Sequence, residues 1–201
     1  MWWNRLQKSA DILLTLSSSI DPTAKINPTA VISGPVSIGP GTIIGHGAII
    51  EGPVQIGANC LVGDYTKMRG PTLMGDGSRV GYMCELRNAV LGTGVMVGPQ
   101  CFVSDSLVED EAFLGAQVRT SNMRLDFKPV SSMHEGKMTN TGLDKLGAYI
   151  GARAALGIQV VILPGRIVAP DSMFGPHVLI DKNYPAGRYM LKQELDFTPL
   201  P

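Results

Sequence analysis

An aliphatic residue returns at every sixth position through most of this chain. The series keeps its spacing from Ile20 to Leu86, and the interval then drops by one residue at two later steps. Its members are Ile20, Ile26, Ile32, Ile38, Ile44, Ile50, Ile56, Val62, Met68, Met74, Val80, Leu86, Leu91, Val97, Val103, Val108 and Leu114. Glycine often follows the aliphatic residue directly. A small or β-branched residue stands four positions after it, at Thr42, Ala48, Val54, Cys60, Thr66, Thr72, Ser78, Cys84 and Val90.

This period predicts a chain that makes one short strand and one corner in each repeat. Six residues match neither the 3.6-residue period of a helix nor the alternation of an ordinary strand. Three repeats close a triangular coil, with the aliphatic side chains inside and glycine at corners where a positive φ is tolerated. Stacked coils pair their backbones with one another. The sequence therefore predicts an all-β fold, a parallel β-solenoid.

The repeat is interrupted once. It stops near Thr120 and resumes at Ile150, Leu156, Ile162, Val168, Phe174 and Ile180. The polar residues between the two runs, 121–149, predict an insertion at a corner, and such insertions often carry the binding face. Arg166 does not fit the resumed pattern, because it falls on an inward position for small residues. Either the register slips there, or its guanidinium leaves the prism at the end.

The two ends of the chain lie outside the repeat. Residues 1–19 have an apolar centre but contain Asp11 and lack the layout of a signal peptide. We expect a short helix that packs on the β-helix domain of residues 20–181, and a poor signal sequence is the alternative. The tail, residues 182–201, is expected to cap the prism or to cross to a neighbouring subunit.

Composition excludes several classes of partner. Lys plus Arg and Asp plus Glu both number 17, so the net charge is near zero and offers no basic footprint for nucleic acid or an anionic membrane. No run of about 18 apolar residues is present, so we expect no membrane span. We expect a cytoplasmic protein.

The cysteines and histidines do not predict a metal site. Cys60, Cys84 and Cys101 all occupy the small-residue position, so we interpret them as core thiols, neither a CxxC site nor a disulfide framework. The spacing of the three histidines cannot supply the zinc ligands of γ-class carbonic anhydrases, a related hexapeptide family. One of them, His134, lies in the insertion and is a candidate catalytic residue.

Two arginines form the most informative polar pair. Arg69 and Arg87 are one coil apart and each follows an inward aliphatic residue, so they should stack on the same wall. Two adjacent guanidiniums need a carboxylate or an anion near them. Either they pair with Glu51, Glu85 or a neighbouring subunit, or they clamp a phosphate, for which the planar fork of arginine is suited.

Two longer runs resemble a known family. The run CELRNAVLGTGVMVGPQCFVSDSLVEDEAFLGAQVRTSNMRLD and the later KLGAYIGARAALGIQVVILPG resemble the C-terminal acetyltransferase domain of N-acetylglucosamine-1-phosphate uridylyltransferase/glucosamine-1-phosphate acetyltransferases, including their archaeal-type relatives. The resemblance covers about residues 20 to 190. It implies a left-handed hexapeptide-repeat β-helix that forms a homotrimer and transfers acetyl from acetyl-CoA to a sugar-phosphate amine. The nucleotidyltransferase domain of those enzymes is absent, so a separate nucleotidyltransferase is a candidate partner.

The resemblance assigns binding roles to four residues. Arg69 and Arg87 fall where the family places basic residues that hold the sugar phosphate. Asn122 falls on a ligand-contacting asparagine, and Lys128 falls on a lysine at the rim of the active site.

The same resemblance shows what has been replaced. The family base is a histidine that opens a HLSY-like motif, and Pro99 stands in its place. Phe102 replaces the tyrosine of that motif, and Phe113 replaces an asparagine that contacts the sugar. Both changes make the pocket more apolar, which suits a changed acceptor or a longer acyl group. Substitute bases are His134, Glu135 or Asp105.

Two functions remain open from the sequence. One is an acyl-CoA-dependent acyltransferase, with acetyl-CoA or another acyl-CoA as donor and a sugar phosphate or nucleotide sugar as acceptor. The other is a non-catalytic trimeric module, derived from the same family, for phosphosugar binding or assembly. The loss of the histidine at Pro99 favours the second, and the retained arginines are compatible with both.

Overall fold

The computed structural model of this chain describes residues 1–194 and 196–198. One helix, α1 (Trp2–Leu13), precedes a long series of short strands. In chain order the strands are β1 (Ser19–Ile20), β2 (Lys25–Ile26), β3 (Val31–Ser33), β4 (Val36–Ile38), β5 (Ile43–Ile44), β6 (Ile49–Glu51), β7 (Val54–Ile56), β8 (Leu61–Val62), β9 (Lys67–Arg69), β10 (Thr72–Met74), β11 (Arg79–Val80), β12 (Glu85–Leu91), β13 (Met96–Val97), β14 (Phe102–Val108), β15 (Phe113–Leu114), β16 (Arg119–Thr120), β17 (Ser131–His134), β18 (Lys137–Asn140), β19 (Tyr149–Ile150), β20 (Ala155–Leu156), β21 (Val161–Ile162), β22 (Ile167–Val168), β23 (Met173–Phe174), β24 (Leu179–Ile180) and β25 (Arg188–Tyr189).

The strands form the three faces of a triangular prism. Face A contains β1, β4, β7, β10, the ends of β12 and β14, β19 and β22. Face B contains β2, β5, β8, β11, β13, β15, β20, β23 and β25. Face C contains β3, β6, β9, the starts of β12 and β14, β16, β21 and β24. All neighbours within a face are parallel, so the expected left-handed parallel β-helix, with its N-terminal helix and corner insertion, is confirmed.

The interior follows the six-residue period almost residue by residue. The aliphatic series is buried from Ile38 onward, and the three cysteines are free and buried, as predicted for core thiols. Ile20 is 49% exposed, because the first coil has no coil beneath it. Val90 differs from the expectation: the corner before it is one residue shorter, so Ala89 points inward and Val90 points out toward α1.

The amphipathic helix α1 covers face A. Its side chains Trp2, Trp3 and Leu6 pack in one buried cluster with Leu107 of β14 and with Leu146, which comes from the insertion. Burial of large aromatic side chains stabilises this arrangement. Faces B and C of the prism are not covered by the helix, so any ligand site on them stays accessible.

The insertion forms part of the same cover. After β16 the chain leaves the prism, makes the antiparallel hairpin of β17 and β18, and rejoins face A at β19. Ser132 holds the hairpin in place, since its hydroxyl accepts a hydrogen bond from the Trp2 indole (2.9 Å) and donates one to the Gly165 carbonyl (2.7 Å). The insertion is therefore a packed element of the domain.

The tail continues the prism for one more strand. Within it, β25 pairs with β23, and the Tyr189 ring stacks on Phe174 with centroids 4.8 Å apart. The prediction of a tail over residues 182–201 also includes Leu195 and residues 199–201, which lie outside the described residues. In the described part of the chain, no helix is long and apolar enough to cross a bilayer.

Candidate functional site

A buried carboxylate, Asp105, organises the corner between faces C and A. Its Oδ1 accepts a hydrogen bond from the Asn88 amide (2.8 Å). Its Oδ2 accepts hydrogen bonds from the Ser104 hydroxyl (2.7 Å), the Asn122 amide (2.6 Å) and, at 3.3 Å, the Arg87 guanidinium. The structure thus brings together Arg87 and Asn122, two residues that the sequence marked as ligand-binding.

The local backbone explains why these side chains meet. Corners of the earlier coils carry Gly-Pro, whereas here Asn88 and Asp105 occupy shortened corners with φ of 46° and 49°. Asn and Asp tolerate this left-handed region better than other non-glycine residues. Gly147, of the KLGA motif, closes the corner from above, where an added Cβ would lie 2.1 Å from the Ser104 carbonyl oxygen. Asp105 is only 4% exposed as a result.

The arginine pair is in register, and each member already has a carboxylate partner. Arg69 and Arg87 are paired positions of β9 and β12. Arg69 forms an ion pair with Glu85, and Arg87 pairs with Asp105 at 3.3 Å. Glu51 pairs with Lys67 instead, at 3.0 Å. The two guanidiniums are therefore neutralised within the chain.

An open cavity of about 660 Å³ lies on face C over residues 100–102, where the resemblance predicted the catalytic motif. Glu85, Phe102 and Arg119 are consecutive register positions across three coils and form its floor. Gln100 and Cys101 line the side next to Pro99. We call this the face C cavity. A volume of this size can hold a small-molecule ligand.

Cys101 is not the nucleophile of this cavity. Its Sγ points into the prism toward the Gly115 carbonyl oxygen, 3.1 Å away. The neighbouring Cys84 thiol and burial both raise the pKa of Cys101 well above its ordinary value. Because the thiolate is the nucleophilic form, the thiol stays protonated and unreactive at neutral pH.

A ladder of glutamines forms the edge of the face C cavity. Gln159 donates to the Gln117 carbonyl oxygen (2.6 Å), and Gln117 donates to that of Gln100 (2.8 Å). Arg119 adds a hydrogen bond to the Gln100 backbone carbonyl (2.9 Å). Such side-chain ladders fix the register of stacked strands, so this edge of the cavity is preorganised.

The structure places His134 away from this cavity. His134 lies at the end of β17, where its ring packs edge-on against Trp3 with centroids 6.1 Å apart. Its Nε2 is 3.7 Å from the carboxylate of Glu135, which is itself exposed. Neither residue lines the face C cavity.

The remaining predicted site residues are spread over the molecule. Phe102 lines the face C cavity, whereas Phe113 is an outward residue of face B. Lys128 is an exposed residue of the insertion, and its backbone N–H donates to Asp126 (3.3 Å). Within one chain, then, only part of the predicted set is brought together.

Of the residues that line the face C cavity, the sequence predicted only Phe102 as a site residue. Gln100, Gln117 and Arg119 were missed as site residues, and Glu85 was considered only as a partner for arginine. A signal did exist: Gln100 and Gln117 occupy equivalent corner positions, each with a positive φ, and outward polar residues in register form a row. Among the described residues, no three Asp, Glu, His or Cys side chains are grouped to hold a metal ion.

The chain is similar to several known proteins. A family model described as "GMPPB C-terminal domain" matches residues 15–108. "Uncharacterized acetyltransferase YaiX" of Escherichia coli O6:K15:H31 is 53% identical over 115 residues, which cover 57% of this chain and 50% of the relative. "Bifunctional protein GlmU" of Methanococcus aeolicus is 33% identical over 199 residues, or 96% of this chain and 48% of the relative.

The chain is therefore similar, over part of their length, to proteins named as acetyltransferases and to a bifunctional protein named GlmU. A solved "hexapeptide transferase family protein" from Anaplasma phagocytophilum is 20% identical, with a TM-score of 0.48 over 80% of this chain and 74% of that one. This structural likeness is too weak to support a statement about function. The chain spans about half the length of the curated relatives just named (50% and 48%).

Proposed function

We propose that this hexapeptide-repeat protein is an acyl-CoA-dependent acyltransferase that acylates a sugar phosphate or nucleotide sugar. The observation that carries the proposal is the face C cavity, about 660 Å³, which lies over the segment Gln100–Phe102 that aligns with the family's catalytic motif. The position of this cavity supports the proposal, although the resemblance places Pro99 where the family has its histidine. The donor is acetyl-CoA or another acyl-CoA.

Glu85 is the group we propose as the base in place of His134, Glu135 or Asp105. It is the only carboxylate among the described residues that line the face C cavity. The acceptor amine or hydroxyl attacks the thioester carbonyl carbon, the carbon–sulfur bond breaks, and Glu85 takes the proton and passes it to the departing CoA sulfur. The Glu85 carboxylate is oriented by its ion pair with Arg69. Asp105 is unsuited because both its oxygens already accept hydrogen bonds.

The assembly we propose is a homotrimer. Several outward apolar side chains of face B are exposed in the single chain, namely Ile43, Met96, Phe113 and Met173. A row of apolar residues of this kind is typical of a surface that is buried by another subunit. Phe113 would then reach a neighbouring subunit's cavity instead of its own.

We place this trimer in the cytoplasm. A separate nucleotidyltransferase is a candidate partner, and we propose no role for nucleic acid or membranes.

The second candidate is a non-catalytic trimeric module for phosphosugar binding or assembly. One observation favours such a module, since Pro99 cannot act as a base. The ion pairs of Arg69 and Arg87 with carboxylates of the same chain favour the assembly role over the phosphosugar-binding role. Such a module would bind its ligand without turnover.

An assay of CoA release separates the two candidates. Purified protein is mixed with acetyl-CoA and a panel of amino-sugar phosphates and nucleotide sugars, and free thiol is followed with a chromogenic disulfide reagent. An acyltransferase releases CoA faster with one class of acceptor than without any acceptor. If no acceptor accelerates release, but a sugar phosphate still raises the melting temperature, the non-catalytic module is the correct reading.

A further inference from the structure

A second cavity, of about 490 Å³, lies where the insertion meets the corner between β21 and β22. Its apolar lining includes Met123, Leu163 and Pro164, and Ser121 and Ser131 add hydroxyl groups. We call it the insertion cavity. It is separate from the cluster at Asp105, although Asn122 of that cluster directly follows Ser121.

One cation in the insertion cavity, Arg166, forms no salt bridge with the residues that the structure describes. Arg166 lines the cavity, and its Nε is buried without a hydrogen-bond partner. Its nearest side-chain partner is the sulfur of Met138, at 3.9 Å. The neighbouring Arg124 differs, because Asp126 holds it with two hydrogen bonds of 2.8 and 2.6 Å.

An unpaired guanidinium in this position is costly to the fold. Burial is the main cause that lowers the pKa of Arg166; the Asp181 carboxylate acts in the opposite direction, and the nearby Arg124 lowers the pKa further. The side chain nevertheless remains charged, since an arginine pKa starts far above neutrality. Partial removal of this charge from water, without a salt bridge, costs free energy that the electrostatic effect of Asp181 offsets only in part. A bound anion would offset this free-energy cost.

The insertion cavity and the face C cavity lie near opposite ends of β16. Arg119 of β16 lines the face C cavity, and Ser121, which directly follows β16, lines the insertion cavity. Two residues of a strand span about 7 Å. The two sites are therefore close neighbours on the surface of the same coil.

We propose that the insertion cavity binds a small phosphate monoester, with Arg166 holding the phosphate and the apolar part of the ligand contacting Met123, Leu163 and Pro164. A phosphate has enough oxygens to accept hydrogen bonds from the guanidinium fork and from the Ser121 and Ser131 hydroxyls together. The proposal concerns binding alone and does not depend on acyl transfer. It assigns the phosphate role to Arg166, which is unpaired, instead of the neutralised Arg69 and Arg87.

Calorimetric titration with phenyl phosphate tests the proposal. The wild-type protein binds phenyl phosphate, and benzyl alcohol, which lacks the charge, does not bind. Arg166→Met weakens the affinity about tenfold to a hundredfold, the range expected for hydrogen bonds to a charged group. The matched control is Arg153→Met, because Arg153 is exposed and paired with Asp171 at 2.7 Å on a different corner. Tighter binding of phenylacetate than of phenyl phosphate would overturn the choice of a phosphate.

Thermal unfolding supplies a second readout. Without ligand, Arg166→Met raises the melting temperature by about 2–4 °C, because it removes an unpaired, half-buried charge. If Arg166 were purely structural, its replacement would lower the melting temperature.

Should Arg166→Met fail to fold, Leu125→Asp is the substitute variant. Leu125 lines the same cavity and is 96% exposed, so a carboxylate there repels the phosphate without disturbing the core. Unchanged affinity in either variant, or no detectable binding of phenyl phosphate to the wild type at millimolar concentrations, would contradict the proposal.

Discussion

Glu85→Gln slows acyl transfer by about 10²–10⁴-fold, the usual contribution of a general base. Glutamine keeps the size of the side chain and its place beside Arg69, but it cannot take a proton from the acceptor. The effect falls on kcat, because Glu85 acts when the acceptor attacks the thioester. The measurement is the initial rate of CoA release with the acceptor identified in the panel assay, at saturating and limiting acceptor concentrations.

Glu51→Gln is the matched control for this substitution. Glu51 is also a carboxylate of face C that pairs with a basic residue, Lys67 at 3.0 Å, but it does not line the face C cavity. We expect its rate to equal that of the wild type. A full rate in Glu85→Gln would remove Glu85 from the mechanism, and equal losses in both variants would show a general effect of charge on face C.

Asp105→Asn lowers the free energy of unfolding by about 3 kcal/mol, the lower end of the cost of breaking a buried ion pair. Asparagine tolerates the left-handed backbone at this corner, where φ is 49°. Its amide NH₂ cannot accept the hydrogen bonds that one carboxylate oxygen now accepts from Asn122, Ser104 and Arg87. For a chain of this size, 3 kcal/mol corresponds to about 6–12 °C in melting temperature.

Asp110→Asn serves as the control for Asp105→Asn. Asp110 also sits at a corner and accepts a hydrogen bond, from the Thr93 backbone N–H (2.8 Å), but it is exposed. The melting temperature of Asp110→Asn should stay close to that of the wild type, because water can replace a hydrogen bond at an exposed site. Similar melting temperatures for Asp105→Asn and Asp110→Asn would contradict the organising role of the buried carboxylate.

The interior of the prism could be predicted from sequence because each coil repeats one geometric rule. An aliphatic side chain six residues on must point to the same interior, and Ile38, Ile44 and Ile50 all do so. The rule failed at Val90, where a shortened corner shifted which side chain faces inward. The hand of the winding came from the family resemblance and not from the period, since a period has no hand.

The polar site could be predicted only in part. The shared register of Arg69 and Arg87 followed from their spacing, but the choice of carboxylate partners did not. Glu51 and Glu85 were equivalent candidates for Arg69 in the sequence, and Asp105 became the partner of Arg87 through the left-handed corner that turns it inward. Such corner conformations depend on tertiary packing, which a sequence pattern does not record.

The outcome for Arg166 shows how a misfit can be informative. Its position in the repeat predicted an inward residue, which a guanidinium cannot satisfy. The corner before β22 places its side chain in the insertion cavity. Because the insertion supplies the opposite wall from residues far from Arg166 in sequence, that cavity could not be derived from the repeat.

The most direct test of the proposed transferase function is a calorimetric titration of the full chain with acetyl-CoA, with CoA as the control ligand. The proposal predicts micromolar binding of acetyl-CoA, because an enzyme of this kind must hold its donor before the acceptor attacks. Binding that is undetectable at millimolar acetyl-CoA would contradict acyl transfer and would leave the phosphosugar-binding or purely structural module.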